Sequence, residues 1–351
     1  NLWSEHGIGD PIALLPAEHE DAEAEQVVTK LLAHKFHSQG RFSDYAVLYR
    51  SNHQARVLEQ KFRAEKIPYV LSGGQSFFER AEIKDIMAYL RLIVNDDDDQ
   101  AFMRAVNTPR RGVGPVTLEA LGSYSGMREC SLMQAAFEHG FEAKITARQH
   151  EPIKEFAALI HDFQWRGGLK GDAPEGSQRA NSANAAKGEP AGVLLHELLR
   201  RINYEAFIHE HFEGKAAENR YKNVLDFVTW LSTKAENEDK SLAEIAQSVT
   251  LLSMMDTEEE DPDAVRLSTL HAAKGLEFKH VYLLGCEEGL LPHHGNAPIE
   301  ETAEDALAAV DGETPSTANA IARLQEERRL MYVAITRARK KLWLSFAAQR
   351  M

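Results

Sequence analysis

An arginine-dense segment near the C-terminus carries the residue types best suited to chemistry. Residues 326–339 read EERRLMYVAITRAR and precede a strand-like run at 342–346. Arginine stays charged at every relevant pH, and its planar fork matches phosphate oxygens. An arginine fixed at the end of a packed helix can therefore neutralise the charge that develops during phosphoryl transfer on a neighbouring domain. The alternative is a salt-bridged surface helix, since Glu326 and Glu327 stand beside basic residues at helical spacing.

A second segment places polar residues between two strand-like runs. The runs cover residues 265–270 and 280–285, and the turn between them holds Thr, His, Lys, Gly and Glu side chains. Open α/β sheets bind ligands at the edge where such loops leave the strands. The segment therefore predicts a ligand-binding loop at a sheet edge, and the alternative is a polar loop with a glycine turn.

These two segments resemble the last motifs of superfamily 1 DNA helicases of the Rep/UvrD/PcrA type. A third block strengthens the resemblance, with matching stretches at 46–56, 72–85 and 107–114. The three blocks stand in the family's order, and the resemblance covers nearly the whole chain. It looks closest to the Rep branch, and two low-complexity stretches depart from it.

The sequence lacks two motifs that a nucleoside triphosphatase of this class requires. It contains no Gly-x-x-x-x-Gly-Lys-Ser/Thr loop, and His209 stands where the nearest candidate, Gly214-Lys215, would need a glycine. It contains no Asp-Glu dipeptide that could hold magnesium. The chain also begins with Asn1. We therefore expect the C-terminal half of a helicase that uses ATP and Mg²⁺, with the magnesium ligands in the missing N-terminal half.

The resemblance implies roles for five residues at the nucleotide. Arg337 matches the arginine finger that contacts the γ-phosphate across the domain cleft, and Arg50 matches a second γ-phosphate arginine. Tyr49 resembles the aromatic residue that stacks on adenine, with core packing at a strand end as the alternative. Glu277 resembles the acceptor for a ribose hydroxyl, and Gly275, two residues before it, is the fifth nucleotide-binding candidate.

The resemblance also implies contacts to DNA. Phe78 and Arg80 match positions along the single-strand track, where an aromatic and an arginine suit base stacking and backbone neutralisation. Thr269 and His271 resemble phosphate contacts next to the nucleotide loop, although His271 could be a loop histidine bonded within the motif.

A glycine turn in the middle of the chain predicts contact with duplex DNA. Pro115 opens a helix directly after the turn, and free amides at a helix N-terminus bind phosphate. Together with Arg104, the neighbouring arginines form a positive patch. A tight turn is the alternative. The DNA-contact candidates of this region are Arg110, Arg111, Gly112, Gly114 and Thr117.

Composition is that of a globular chain, and its charge restricts where DNA could bind. At 351 residues the chain can hold two domains, and no apolar run approaches membrane-spanning length, so we expect a cytoplasmic protein without a membrane partner. The net charge of −14 disfavours nucleic acid overall, so any DNA surface must be local. Cys130 and Cys286 suggest neither a disulfide framework nor a metal site.

Two acidic runs, at 96–99 and 256–263, predict solvated linkers that divide the chain. Strands alternating with helices in the outer thirds predict an α/β fold, with residues 1–95 and 262–351 forming one discontinuous domain around a parallel sheet. The resemblance implies that this is the second RecA-like motor domain. It also implies that residues 96–261 form the inserted helical subdomain.

Apolar stripes at helical spacing predict the cores. One comprises Ile83, Ile86, Met87, Leu90 and Ile93, and two more are predicted in the middle third, at 156–163 and 224–231. Stretches 167–192 and 295–317 are rich in Ala, Gly, Pro, Ser and acid, and predict loops or disorder.

The sequence thus predicts half of an ATP-dependent DNA translocase and helicase, which in this family moves 3′ to 5′. Its expected partners are single-stranded DNA, duplex–single-strand junctions and the missing N-terminal motor domain, and replication or repair proteins are further candidates. The alternative is a stand-alone DNA-binding or partner-docking module without motor function. Arg337, Arg50 and Glu277 favour the first reading, because such a module would not need three nucleotide contacts.

Overall fold

The structure, a computed structural model, describes residues 9–169, 188–254, 263–293 and 315–350. The chain divides into two compact units. The first, an α/β unit, comprises Asn1–Phe77 and Glu258–Met351, and the second, a helical unit, comprises Phe78–Thr257.

Six strands form one sheet in the α/β unit. They are β1 (Ala13–His19), β2 (Tyr45–Tyr49), β3 (Tyr69–Ser72), β4 (Val265–Thr269), β5 (Phe278–Leu283) and β6 (Ala338–Gln349). Their order is β1-β6-β5-β2-β4-β3, and every pairing is parallel. The α/β fold predicted from the sequence is confirmed.

Thirteen α-helices are present among the described residues. They are α1 (Glu20–Ser38), α2 (His53–Ala64), α3 (Ala81–Val94), α4 (Asp99–Asn107), α5 (Pro115–Arg128), α6 (Leu132–Phe137), α7 (His139–Glu142), α8 (Ala147–Arg166), α9 (Ala191–Arg201), α10 (Tyr204–His211), α11 (Gly214–Asn237), α12 (Leu242–Met254) and α13 (Pro315–Ile335).

Both faces of the sheet are covered, and the alternation of side chains along β2 shows how. Tyr45, Val47 and Tyr49 face a core that includes residues of α1 and α2. Ala46 and Leu48 face the opposite core, which includes residues of α13 and the turn after β4. Successive side chains of a strand point to opposite faces, so a strand buried on both sides reads as a continuous apolar run.

The predicted strands and the helix between β2 and β3 are present, but β1 and α1 were missed. Signals for α1 exist in the sequence. Acidic residues fill its first turn, and the Nδ1 atom of His19 accepts the N–H of Ala22 at 3.2 Å as an N-terminal cap. Acid near a helix N-terminus complements the helix dipole. The acidic first turn is therefore the signal in the sequence from which α1 could have been predicted.

The first crossing between the units comes earlier than the acidic run at 96–99 predicted. Helix α3 lies in the helical unit, because it packs on α4, α8, α11 and α12. Its predicted apolar stripe is buried as expected, but that stripe belongs to the core of the helical unit and not to the α/β unit. The second predicted crossing, at 261/262, lies outside the described residues, as do most of the low-complexity stretches.

The two other predicted stripes are mostly buried. In α8, Phe156, Ile160 and Phe163 lie in the core while Leu159 is half-buried. In α11, the predicted stripe is buried except for Leu225, which is 37% exposed. Three-residue and four-residue spacings define the buried side of a helix, and Leu225 lies one residue off that side.

Candidate functional site

Three loops of the α/β unit meet at the carboxyl ends of β2, β3 and β4. Gly73 has φ +88°, and a Cβ atom there would lie 2.5 Å from the Cβ of Ala272 and 2.9 Å from Oγ1 of Thr269. At Gly74 a Cβ would lie 2.9 Å from Oδ1 of Asn52. Only glycine allows this approach of backbone to side chain. The loops that follow the three strands are therefore packed directly on one another.

Arg50 extends from the carboxyl end of β2 and is held by two partners. Its backbone N–H donates to Oε1 of Gln54 at 3.0 Å. Its side chain forms a forked ion pair with Glu327 of α13: Nε lies 3.2 and 3.1 Å from the two carboxylate oxygens, and Nη2 lies 2.9 Å from Oε1. The Arg50 side chain is 21% exposed and that of Glu327 is 7% exposed. This geometry fixes the guanidinium in a half-buried position.

Arg337 lies at the other end of the sheet, where α13 leads into β6. Its Nε donates to the carbonyl of Val333 at 2.9 Å, Nη1 to the carbonyl of Leu276 at 2.8 Å, and Nη2 to Oγ1 of Thr336 at 3.0 Å. Its own carbonyl accepts the N–H of Phe278, the first residue of β5, at 2.9 Å. The guanidinium is thus held entirely by neutral acceptors.

Glu277 lies beside Arg337 at the amino end of β5. It is exposed, and its carboxylate accepts from Nε of Arg339 at 2.8 Å. Gly275, with φ +87°, has open space around its Cα. The structure therefore brings Arg337, Glu277 and Gly275 together, but places Arg50 at the opposite edge of the sheet. The predicted loop between β4 and β5 begins at the carboxyl edge and ends at the amino edge, so it does not form one edge site.

Tyr49 does not fit the predicted contact with adenine. Its side chain is 1% exposed and packs in the core between the sheet and α1 and α2. Burial raises the pKa of its hydroxyl. This position fits the alternative, core packing at a strand end, and the contact with adenine stays a prediction.

The structure treats the two predicted DNA contacts after β4 differently. Thr269 is buried, and its Oγ1 accepts the N–H of Ala272 at 3.3 Å, so its hydroxyl stabilises the loop. Its role as a phosphate contact stays a prediction. His271 is exposed, and its contact with phosphate stays a prediction.

In the helical unit, Phe78 is fully buried, and its ring meets Phe227 and Trp230 of α11 edge to face, with centroid distances of 6.2 and 5.9 Å. Its predicted stacking on a base would need the ring to leave this core, and it stays a prediction. Arg80 is half-buried, and its carbonyl accepts the N–H groups of Ile83 and Lys84 at the start of α3. Its predicted DNA contact stays untested.

Two of the three arginines in the predicted patch of the helical unit have partners within the protein. Arg104 donates from Nε to Oδ1 of Asp85 at 2.7 Å and from Nη2 to the carbonyl of Ala81. Arg111 donates from Nη1 to the carbonyls of Ala105 and Pro109, each at 2.9 Å. Its guanidinium also bonds the Tyr89 hydroxyl and lies over the rings of Tyr89 and Phe156. Arg104 and Arg111 thus stabilise contacts within the helical unit, whereas Arg110 is exposed.

The glycine turn itself is open, as a phosphate contact would need. Gly112 has φ +77°, and a Cβ atom on either Gly112 or Gly114 would meet nothing within 4 Å. Gly114 is the N-cap of α5 and precedes Pro115, and it has no side chain that could cap the helix. Thr117 is only 3% exposed, and its predicted contact with DNA stays a prediction.

Sequence reasoning missed Glu327. The two glutamates before the paired arginines suggested a surface salt bridge, which holds for Glu326 with Arg329 at 3.3 Å. Glu327 instead reaches Arg50, which is far away in the chain. An apolar residue three positions later, Leu330, lies in the core and shows that Glu327 belongs to the inner side of α13. That spacing was the available signal.

Within the described residues, no group of three or more His, Cys, Asp and Glu side chains could hold a metal ion. Cys130 and Cys286 are free thiols. No helix in this part of the chain is long and apolar enough to cross a membrane. The predicted magnesium ligands in a missing N-terminal half are not tested by these observations.

Comparison with known proteins gives the family. Residues 1–349 match the model of the UvrD-like helicase C-terminal domain. The chain belongs to this family. It is 39% identical to the ATP-dependent DNA helicase Rep of Salmonella typhimurium, over 99% of this chain and 47% of that protein. It is 34% identical to the ATP-dependent DNA helicase PcrA of Bacillus subtilis, over all of this chain and 43% of that protein.

A third relative of the UvrD-like family is DNA helicase II of Haemophilus influenzae, with 37% identity over all of this chain and 43% of that protein. The chain spans about half the length of the curated relatives it matches. The resemblance to the Rep/UvrD/PcrA type is confirmed, and the low-complexity stretches do not prevent the match from running through both units.

Proposed function

We propose that this chain is the C-terminal half of an ATP-dependent DNA helicase that translocates 3′ to 5′ on single-stranded DNA. The observation that carries the proposal is the family match over residues 1–349, with relatives named as ATP-dependent DNA helicases along the whole chain. The α/β unit would be the second motor domain, and the helical unit would be the subdomain inserted in it.

The residues available for ATP are best placed for its phosphates. Arg337 and Arg50 are partly exposed cations, whereas the ring of Tyr49 is buried and would have to turn outward to stack on adenine. ATP would supply the phosphoryl group, and its Mg²⁺ would be bound by residues outside this chain. Arg337 would exchange carbonyl partners for phosphate oxygens and stabilise the charge that develops in the transition state. Glu277 would accept a ribose hydroxyl after releasing Arg339.

DNA would be contacted through residues of both units. His271, which is exposed, and Arg80, which is half-buried, are the best-placed candidates for the single strand. Arg110 and the backbone N–H groups of Gly112 and Gly114 are the best-placed candidates for duplex phosphates at a junction. Replication or repair proteins would be further partners, and work on chromosomal DNA would place the protein in the cytoplasm.

The test uses the full-length protein and duplexes that carry either a 3′ or a 5′ single-stranded tail. We expect ATP-dependent strand separation with the 3′ tail and little with the 5′ tail. A matched reaction with a non-hydrolysable ATP analogue controls for strand melting by binding alone. Strand separation without ATP, or DNA binding without any ATP turnover, would instead support a binding module.

The chain by itself provides a second test. Because its sequence holds neither a phosphate-binding loop nor an Asp-Glu pair, we expect no DNA-stimulated ATP hydrolysis from the 351 residues alone. The measurement is steady-state phosphate release, with the Arg337→Ala variant purified in parallel as a control for contaminating ATPases. Turnover that Arg337→Ala abolishes would show that this chain holds a complete nucleotide site.

A further inference from the structure

The ion pair between Arg50 and Glu327 uses only part of the arginine. Nε and Nη2 of Arg50 both face the Glu327 carboxylate, at distances from 2.9 to 3.2 Å. Nη1 donates no hydrogen bond to any described residue. A guanidinium is flat and carries its donors in a rigid fork, so a carboxylate bound along one edge fixes the plane of the whole group. Glu327 therefore leaves the Nη1 edge of Arg50 for a different acceptor.

Glu327 is itself rigidly placed. Its side chain is 7% exposed, and its Oε2 also accepts the N–H of His293 at 3.2 Å. The next turn of α13 contributes Leu330 to the core under the sheet. A surface ion pair is weakened by the entropy cost of ordering two mobile side chains, whereas the Glu327 carboxylate is already ordered. It can therefore orient Arg50 at little further cost in side-chain entropy.

We propose that Glu327 is a positioning residue for nucleotide binding, which holds the Nη1 edge of Arg50 towards a phosphate oxygen. The inference rests on the proposed function, because it needs a bound nucleoside triphosphate. Glu327 does not touch the nucleotide. It acts through Arg50, and it connects Arg50 to helix α13, which ends two residues before Arg337.

One helix thereby orients both arginines. Glu327 binds Arg50, and the carbonyl of Val333, six residues later on α13, binds Arg337. Six residues of α-helix span roughly 9 Å. A displacement of α13 along its axis would move both guanidinium groups together, so their spacing is a property of the helix and not of two independent loops.

The test is a double-mutant cycle in the full-length protein. Glu327→Gln keeps the shape of the side chain but loses the charged fork, and we expect kcat/KM for ATP to fall by about tenfold, as for a misplaced positioning group. Arg50→Ala should lower it further. The double variant should be no slower than Arg50→Ala alone, because Glu327 acts only through that arginine. Affinity for single-stranded DNA should be unchanged in all three variants.

Glu326→Gln is the matched control, because Glu326 is the neighbouring carboxylate and pairs with exposed Arg329. We expect its ATP turnover to equal that of the unmodified protein. A purely structural role for Glu327 predicts losses that multiply in the double variant, and this result would overturn the inference. Faster turnover in Glu327→Gln would also overturn it, since it would mean that Glu327 competes with phosphate for Arg50.

Failure of the inference can be told apart from failure of the proposed function. If Arg50→Ala and Arg337→Ala both lower ATP turnover while Glu327→Gln does not, only the positioning role is wrong. If neither arginine variant lowers turnover, the assignment of these residues to a nucleotide site is wrong, and the positioning role is overturned with it.

Discussion

Arg50 and Arg337 are both predicted to meet phosphate, yet the structure holds them in opposite ways. Arg50 follows the carboxyl end of β2 and is neutralised by the carboxylate of Glu327. Arg337 precedes the amino end of β6 and is held by two carbonyls and a hydroxyl. Carbonyl oxygens orient a guanidinium without cancelling its charge. The difference teaches that the partner, and not the exposure alone, decides how much positive charge an arginine can offer to a ligand.

The largest expected effect separates these two arginines. In the full-length protein, Arg337→Ala should lower ATP turnover by about 10³-fold or more, as expected for an arginine finger, while Arg50→Ala should lower it by only about 10- to 100-fold. The reason is that the net charge of Arg50 with Glu327 is near zero. Turnover is measured at saturating ATP and single-stranded DNA, with DNA affinity measured by fluorescence anisotropy. Equal losses for the two variants would break the comparison.

A stability measurement compares the loops at the two edges. Gly73 and Gly275 have nearly the same φ, +88° and +87°, but only Gly73 has neighbours that a Cβ would strike. Gly275→Ala should therefore cost roughly 1 kcal/mol for the left-handed backbone alone. Gly73→Ala should cost roughly 3 kcal/mol, because overpacking adds to that strain. Urea unfolding of the two variants measures the difference, and similar midpoints would mean that the loops at the carboxyl edge can move apart.

Arg110 and Arg111 of the helical unit allow a second comparison, between an exposed arginine and one that lies over two aromatic rings. Arg111→Ala removes hydrogen bonds to carbonyls and a contact with two rings, and should destabilise the protein by roughly 2 kcal/mol. Arg110→Ala should leave the melting temperature unchanged and weaken binding to a duplex–single-strand junction. The slope of log affinity against log salt should flatten by about one unit for the lost phosphate contact.

An unchanged salt slope for Arg110→Ala would remove phosphate recognition from this turn. The glycine turn before α5 would then be a structural feature only. Plain single-stranded DNA serves as the control ligand, and we expect its affinity to change much less.

The smallest expected effect is on stability at low pH. Buried titratable groups near the two edges of the sheet have pKa values shifted in opposite directions. At the amino edge, burial lowers the pKa of His280 to about 4, with the positive charges of His34, Lys279 and Lys340 adding to this and Asp44 opposing it. Near the carboxyl edge, burial raises the pKa of the Glu59 carboxyl, which bonds Ser76 and the N–H of Phe77.

The sign for His280 follows from linkage. In the unfolded chain His280 is protonated below about pH 6.5, whereas in the folded chain it is protonated only below about pH 4. The free energy of unfolding therefore decreases as pH falls from 6.5 to 4. We expect His280→Phe to reduce this loss, by roughly 1–2 kcal/mol between pH 6.5 and pH 4. Unfolding by urea at several pH values measures it. A loss of the same size in both proteins would exclude His280 as the source.

The sequence predicted five of the six strands, most clearly β2, which is an apolar run buried at every residue. It predicted the site less well. Tyr49, Phe78 and Thr117 have residue types suited to binding, but their alternation along strand or helix turns them inward. Whether a side chain at a strand end or a helix start faces the core depends on which helix covers it, and that depends on contacts distant in the chain.

The partners of the arginines could not be predicted from the sequence either. Arg104 and Arg111 looked like a free positive patch, but Asp85, which is 19 positions before Arg104, and the carbonyls of Ala105 and Pro109 take their donors. Glu327 lies 277 positions from Arg50. The observed boundary between the units differs from the predicted one for the same reason, because α3 packs on helices that come much later in the chain. Local patterns indicate which residues are charged or apolar, and tertiary packing decides which remain available.

The most direct measurement is a structure of the full-length protein bound to a non-hydrolysable ATP analogue and single-stranded DNA. Our account predicts that the Arg337 guanidinium has left the carbonyl of Leu276 and lies about 3 Å from a γ-phosphate oxygen. It also predicts that Arg50 keeps Glu327 and directs Nη1 at the phosphates. A γ-phosphate that contacts no arginine of this chain, with Arg337 still bound to Val333 and Leu276, would contradict it.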